Sequence, residues 1–156
     1  MRAIIIDDER LARKELMGLL EKHDHIEVVG EAADGAEGIE LAASLKPDVI
    51  TMDINMPRVN GHEATRKIMA STPTPIVVVT TISRQELVRH GLDILLVGAL
   101  DIVQKPSALT VKGFEVIQAE LIAKVREVAQ IKFTPPKPAD EGGSLEALGN
   151  GATQPG

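Results

Sequence analysis

A group of polar side chains in this sequence shares one setting, because each follows a short apolar block where a buried strand would end. The members of this group are Asp7, Asp8, Asp53, Thr80, Thr81 and Lys105. Parallel strands bring their carboxyl ends to one edge of a sheet, so these side chains are expected to meet there. The sequence therefore predicts a site that combines three carboxylates, one or two hydroxyls and an ammonium group.

The three carboxylates of this group need a positive partner, since closely packed carboxylates raise one another's pKa. Mg²⁺ supplies one, because it binds a few carboxylates together with water and phosphate oxygens. A carboxylate beside Mg²⁺ can attack phosphorus, as in aspartyl-phosphate enzymes. A lysine and a threonine hydroxyl can stabilise the phosphoryl oxygens. The set thus contains the groups that transfer of a phosphoryl group to an aspartate requires.

Each of these residues also has a purely structural explanation. Asp7 and Asp8 could cap the first helix, and Asp53 could be a capping or turn residue. The threonines could simply end a strand, and Lys105 could be an ordinary surface lysine. The placement of all of them at the ends of four strands favours the chemical interpretation.

Short apolar blocks alternate with segments of helical period over most of the chain. The predicted strands are 3–6, 26–30, 48–52, 76–79 and 100–103, and the predicted helices are 9–22, 35–45, 62–70, 83–97 and 112–131. This alternation predicts an α/β fold, a doubly wound five-stranded parallel sheet with helices on both faces. Five strands favour the flavodoxin-like order 2-1-3-4-5.

The composition changes near the C-terminus. Residues 132–156 are rich in Pro and Gly and contain too few apolar side chains to form a core. We therefore expect one folded domain over residues 1–131 and a flexible linker or tail over residues 132–156.

The overall composition narrows the class of protein. The chain is 44% hydrophobic and 26% charged, as in soluble globular proteins, and it contains no Cys. A net charge of −6 argues against binding to nucleic acid or to an anionic membrane. No apolar run is long enough to span a membrane, and the first residues do not form a signal peptide. We expect a cytoplasmic protein.

The motifs around the polar group resemble those of the response-regulator receiver family. The matching segments are DDE at 7–9, DINMP at 53–57 with NG at 60–61, VVVTT at 77–81 and VQKP at 103–106. The resemblance extends from residue 1 to about residue 130. It implies a non-enzymatic domain of a two-component phosphorelay, which receives a phosphoryl group from a sensor histidine kinase and signals by a conformational change.

The resemblance implies which residues accept the phosphoryl group and bind the metal. Asp53 would be the phosphorylated residue. Asp8, Asp53 and the backbone carbonyl of Asn55 would bind Mg²⁺, and Asp7 would assist through a water molecule.

The resemblance also implies how the domain responds. Thr80 would turn toward the phosphoryl group and Lys105 would pair with it, while an aromatic side chain on the fifth strand rotates. This chain has Ile102 at the aromatic position, so it departs from the family there. The family further predicts a cis peptide bond between Lys105 and Pro106.

A finer similarity links segments 48–69, 73–81 and 98–107 to the receiver half of chemotaxis protein-glutamate methylesterases. Two hypotheses follow: a stand-alone receiver, or the regulatory half of a methylesterase that lacks its catalytic domain. The serines do not lie in a nucleophile-elbow context, so the chain itself is not expected to be an esterase. A phosphatase of the haloacid dehalogenase type would need an acid at position 55, which is Asn55.

Residues 92–100, LDILLVGAL, are almost wholly apolar. In one interpretation they pack inward and lead into the fifth strand. In the other they belong to the face formed by the fourth helix, the fifth strand and the fifth helix, where a downstream target or a dimer mate would bind.

Overall fold

The computed structural model describes residues 1–23, 25–81, 84–86, 88, 92–106 and 109–133. The strands are β1 (Arg2–Ile6), β2 (Glu27–Ala32), β3 (Val49–Met52), β4 (Ile76–Thr80) and β5 (Asp101–Gln104). The helices are α1 (Arg10–Glu21), α2 (Gly35–Leu45), α3 (Gly61–Ser71), α4 (Arg84–Glu86), α5 (Leu92–Leu96) and α6 (Val111–Val128).

The five strands form one parallel sheet in the order β2-β1-β3-β4-β5, which confirms the predicted fold. The ends of β1 and β3 are level, since Ile6 lies opposite Met52. One residue further on, the Asp53 amide donates to the Ile6 carbonyl at 2.9 Å. The register therefore sets the residues that follow β1 and β3 side by side.

Alternate residues of the strands pack on opposite faces of the sheet. Ile5, Val77 and Val103 face α1 and α6, where Phe114 is the large aromatic side chain of the core. On the other face, Ile4, Ile6, Ile50 and Met52 pack with helices α2 and α3. Helices cover both faces of the sheet, so successive strand residues are buried on one face or the other. The strands are therefore rich in Ile and Val with few polar residues.

The helix predicted over 83–97 is only partly described, and most of its described residues are helical. The described helical parts are Arg84–Glu86 (α4) and Leu92–Leu96 (α5), while residues 83, 87 and 89–91 of that prediction lie outside the described part of the chain. After α5 the chain turns at Gly98, whose φ is +126° and where an added Cβ would lie 2.5 Å from the Met69 side chain. A turn that needs positive φ ends the helix before β5 begins.

The C-terminal helix α6 ends at Val128, three residues before the predicted end. Phe133 lines a cavity together with Pro47 and Pro73, beyond the ends of α2 and α3. Residues 134–156, most of the predicted tail, lie outside the described residues, so the boundary at residue 131 stays a prediction. In the part of the chain that the structure describes, no helix is long and apolar enough to cross a membrane.

Candidate functional site

Three aspartates meet at the carboxyl edge of the sheet, where the sequence predicted them. Asp7 and Asp8 follow β1 and Asp53 follows β3, and one carboxylate oxygen of each lies within 4.8 Å of the other two. Asp7 and Asp53 are buried, whereas Asp8 is exposed. The cluster is therefore open to solvent on one side and presents the hard oxygen ligands that Mg²⁺ prefers.

The ammonium group of Lys105 lies among these carboxylates. Its Nζ is 2.6 Å from Asp7 Oδ2, 3.3 Å from Asp53 Oδ2 and 3.2 Å from Glu9 Oε1. The Lys105 side chain is 0% exposed, and its backbone amide donates to the Thr80 carbonyl at 2.7 Å. The pairing of β4 with β5 thus places a buried cation at the centre of the acidic cluster.

Burial dominates the electrostatics of the two inner aspartates. Desolvation raises the pKa of Asp53 from its usual 3.8 to about 6, with repulsion from Asp7 adding to the rise and Lys105 opposing it. Desolvation likewise raises the pKa of Asp7, against its hydrogen bond with Lys105. For Lys105 burial acts to lower the pKa, but the bond to Asp7 and the attraction of Asp53 outweigh it and raise the pKa. One ammonium therefore does not fully compensate this cluster.

Backbone amides orient the two buried carboxylates. Asp7 Oδ1 accepts from the Glu9 amide at 2.9 Å, and Asp53 Oδ1 accepts from the Ile54 amide at 2.8 Å. The second oxygen of each carboxylate, Oδ2, faces Lys105. Each carboxylate is thus fixed by the chain that follows it and keeps one oxygen turned toward the centre of the site.

The remaining predicted site residues lie at the same edge. Thr80 is the last residue of β4 and is buried, and it lies opposite Gln104 of β5. Thr81 is exposed beyond the strand, and Asn55 is exposed in the loop two residues after Asp53. The structure thus brings Asp7, Asp53 and Lys105 into one contact network with Asp8 beside it.

Glu9 is the site residue to which sequence reasoning assigned no role. It was noted only as the third letter of the DDE motif, yet its carboxylate is a partner of Lys105. The available signal was its position directly after two aspartates at a strand end. Contact with a lysine 96 positions away depends on the tertiary fold, which the motif alone did not reveal.

The loop between β3 and α3 passes very close to Asp53. The Gly61 amide donates to the Ile54 carbonyl at 2.8 Å, and a Cβ added at Gly61 would lie 2.0 Å from the Asp53 carbonyl oxygen. Within this loop Arg58 has a φ of +65° and pairs with Asp34, the N-cap of α2. The NG motif thus lets α3 begin against the backbone of Asp53.

Gly61→Ala is expected to destabilise the protein by about 2 kcal/mol, because the methyl group would force the Asp53 backbone and α3 apart. Gly18→Ala is the matched control, since Gly18 is an exposed residue of α1 with nothing within 4 Å of an added Cβ. That change should stabilise by roughly 0.5 to 1 kcal/mol through helix propensity. Urea denaturation measures both, and equal effects of the two changes would contradict the close approach at Gly61.

Two features of the response mechanism can be compared with the structure. No peptide bond between described residues is cis, so the prediction of a cis bond between Lys105 and Pro106 is wrong. The trans form is the intrinsically favoured isomer even before proline. Ile102, at the expected aromatic position, is half-buried against the core on the α2 and α3 side.

The apolar stretch 92–100 is buried in part and exposed in part. Ile94 and Ala99 are buried and anchor it to the core beside α3. Leu96, in contrast, is 82% exposed on α5, and Val116 on α6 is equally exposed. Large apolar side chains therefore remain at the surface on both sides of β5.

Comparison with known proteins shows the family. Residues 3–112 match the family model of the response regulator receiver domain. The chain belongs to the response regulator receiver family. The matched range includes every residue of the carboxyl-edge site, and receivers of this family bind Mg²⁺ at such an acidic pocket and are generally phosphorylated by histidine kinases.

Similar curated proteins identify a branch of the family. This receiver is 43% identical over 129 residues to a protein-glutamate methylesterase/protein-glutamine glutaminase of Symbiobacterium thermophilum, covering 83% of this chain and 35% of that protein. It is 36% identical over 131 residues to the protein of the same description from Pyrococcus abyssi, covering 84% and 35%. The chain thus spans about a third of the length of these relatives and is homologous to their regulatory part.

Solved structures agree. The response regulator domain of Thermotoga maritima CheB has a TM-score of 0.79 and 34% identity, over 85% of this chain and 98% of that chain. The receiver domain of the response regulator NarL from Mycobacterium tuberculosis has a TM-score of 0.64 and 28% identity, over 79% and 94%. The receiver fold therefore extends across nearly all of the described residues.

Proposed function

We propose that this receiver accepts a phosphoryl group on Asp53 from a sensor histidine kinase. The observation that carries the proposal is the position of the Asp53 carboxylate, buried beside Asp7 and 3.3 Å from the Lys105 ammonium at a solvent-open acidic edge. A nucleophile, a cation for the incoming phosphoryl group and ligands for a metal are present together there.

The oxygens of Asp8, Asp53 and the Asn55 carbonyl would hold Mg²⁺, with Asp7 assisting through water. The donor set fits, because it is made of hard oxygens and because burial has raised the pKa of both inner carboxylates, which a cation would reverse. When bound, Mg²⁺ supplies positive charge that offsets the negative charge of the phosphoryl oxygens.

In the transfer step, an Asp53 carboxylate oxygen forms a bond to phosphorus as the bond between phosphorus and the donor's imidazole nitrogen breaks. The electron pair of the broken bond stays with the imidazole. Lys105 is already at the carboxylate and moves from Asp53 to a phosphoryl oxygen, retaining Asp7 and Glu9 as partners. Thr80 donates its hydroxyl hydrogen to another phosphoryl oxygen.

The response would pass through Thr80 to β5, because the Lys105 amide bonds the Thr80 carbonyl across the two strands. With Ile102 in place of an aromatic residue, this receiver has no ring to rotate at that position of β5. A downstream target or a dimer mate would read the change on the face of α5, β5 and α6, where Leu96 and Val116 are exposed.

Phosphorylation is tested with acetyl phosphate as donor, followed by intact-mass spectrometry. We expect one phosphoryl group per chain in the presence of Mg²⁺ and none with EDTA. Asp8→Asn should lower the labelling rate at saturating donor and fixed Mg²⁺ at least tenfold, since it removes a metal ligand. The adduct should be labile to hydroxylamine, as an acyl phosphate is.

Asp93→Asn is the matched control for that variant, because Asp93 is also an exposed aspartate but lies on α5 away from the cluster. It should label like the wild-type protein. Labelling that is independent of Mg²⁺, or equally slow in both variants, would contradict the assigned metal site.

A second candidate function follows from the similarity to curated methylesterases. The 43% identity to a methylesterase over this receiver alone supports the proposal that the chain is the regulatory half of such an enzyme. We expect it to act in the cytoplasm. The genomic sequence beyond codon 156 tests this. An in-frame esterase domain is the expected result, and a stop codon with no such domain nearby would favour a stand-alone receiver.

A further inference from the structure

A second candidate site lies at the amino-terminal edge of the sheet, opposite the aspartate cluster. A cavity of about 540 Å³ opens there between the loop that joins α1 to β2 and the end of α6. Lys22, His23, His25 and Arg126 line it, together with Asp48 before β3. The cavity therefore collects two permanent cations and two imidazoles around a single described carboxylate.

The positive groups of this cavity have no acidic partner within the described part of the chain. Neither Lys22 nor Arg126 forms an ion pair with a described carboxylate, and the Asp48 carboxylate instead accepts from the Arg2 amide at 2.7 Å. The chain as a whole carries a net charge of −6. Among the described residues that line it, this concave region is more positive than the protein as a whole and is thus available to an anion.

The positions of the cations at helix ends account for only part of this arrangement. Lys22 is the C-cap of α1 and Arg126 lies in the last turn of α6, where positive charge is favoured by the helix dipole. In the described ranges, however, neither side chain donates a hydrogen bond to a terminal carbonyl. Helix dipoles also do not explain why the two ends enclose a cavity.

We propose that this cavity binds a small polyanion, a molecule that carries at least two phosphate or carboxylate groups. The volume suits a ligand of nucleotide size rather than a flat macromolecular surface. Arg126 can bind an anionic group with two parallel hydrogen bonds, and Lys22 and the imidazoles can bind a second group. The site is separate from the Asp53 site and does not depend on phosphorylation.

Isothermal titration of the full chain with tripolyphosphate, without Mg²⁺ and at low salt, tests the proposal. We expect saturable binding of one molecule with a Kd below about 1 mM. The double variant Lys22→Gln with Arg126→Gln should weaken binding at least tenfold. Asp53→Asn should leave it unchanged, which separates this result from the outcome at the phosphoacceptor.

The matched control is Lys14→Gln with Lys112→Gln, which removes the same charge from exposed positions on the same two helices, outside the cavity. It should change the Kd by less than about twofold. Equal weakening in both double variants would show diffuse attraction only and overturn the proposal, as would the absence of saturation. A parallel titration with citrate assigns the ligand class: tighter citrate binding indicates carboxylate recognition, and tighter tripolyphosphate binding indicates phosphate recognition.

Discussion

Asp53→Asn is expected to stabilise the metal-free protein at pH 8 by about 1 to 3 kcal/mol. Asp53 is 5% exposed, and burial raises its pKa from 3.8 to about 6. A shift of this size corresponds to roughly 3 kcal/mol against the ionised form in the folded state. The neutral amide of Asn has nearly the same shape and escapes most of this cost.

The gain should depend on pH in a defined direction. Because the Asp53 pKa is higher in the folded than in the unfolded protein, the folded state binds the proton more tightly. Stability of the wild-type protein therefore falls as the pH rises through the interval from about 4 to 6 and levels off above it. The advantage of Asp53→Asn should be absent near pH 4 and complete above pH 7.

Urea denaturation at a series of pH values measures this difference. Asp93→Asn, at an exposed position on α5, is the control and should show no such growth with pH. At a concentration about a hundredfold above its Kd, Mg²⁺ should stabilise the wild-type protein by about 2 to 3 kcal/mol. It should not stabilise Asp53→Asn. If the difference in unfolding free energy between Asp53→Asn and the wild-type protein were the same from pH 4 to pH 8, burial would not disfavour the ionised form of Asp53.

Lys105→Met should destabilise the metal-free protein at pH 8 by about 3 to 5 kcal/mol. The Lys105 side chain is fully buried, and its removal leaves Asp7 and Asp53 without their cation. Methionine fills most of the space of the aliphatic stem, so the loss reports the charge rather than a cavity. The cost should shrink toward pH 4, where both carboxylates can take up protons, and Mg²⁺ should restore part of it.

Lys124→Met is the matched control for this change. Lys124 also contacts two carboxylates, Asp101 at 3.2 Å and Glu120 at 3.1 Å, but its side chain is 27% exposed. Its loss should cost about 1 kcal/mol or less, as for ion pairs near the surface. Equal costs for the two lysines would show that burial does not govern the Lys105 network.

The two central variants, Asp53→Asn and Lys105→Met, are expected to act in opposite directions at the same site. One removes a surplus negative charge and the other removes the cation that offsets it. Both effects should fade together at low pH and respond to Mg²⁺. Opposite effects with the same dependence on pH and Mg²⁺ would show that the cluster is governed by charge. Changes that only disturb packing would not show this dependence.

The fold could be predicted because each of its elements has a local signature. Blocks such as Ala3 to Ile6 and Ile76 to Val79 are buried on both faces of a parallel sheet, so their strand character is visible without tertiary information. The turn that leads from α5 into β5 was harder to predict. There the conformation depends on a turn at Gly98 packed against Met69 of α3, a contact that no local pattern encodes.

Most members of the site, though not Glu9, could be predicted from the sequence, but the contacts among their side chains could not. Strand ends placed Asp7, Asp53 and Lys105 at one edge by topology alone. The sequence did not reveal that Lys105 would lie between Asp7 and Glu9, because side-chain pairing depends on the relative height of β1 and β5. Nor did it reveal the isomer of the bond before Pro106, since the two isomers of an X–Pro bond differ by less than about 1 kcal/mol.

The central claim, that Asp53 accepts the phosphoryl group, is tested most directly by comparing the wild-type protein with Asp53→Asn in the acetyl phosphate assay. Both proteins are incubated with donor and Mg²⁺ under identical conditions, and their intact masses are recorded. The wild-type protein should gain the mass of one phosphoryl group and Asp53→Asn should gain none. A full phosphoryl adduct on Asp53→Asn, or none on the folded wild-type protein, would contradict the claim.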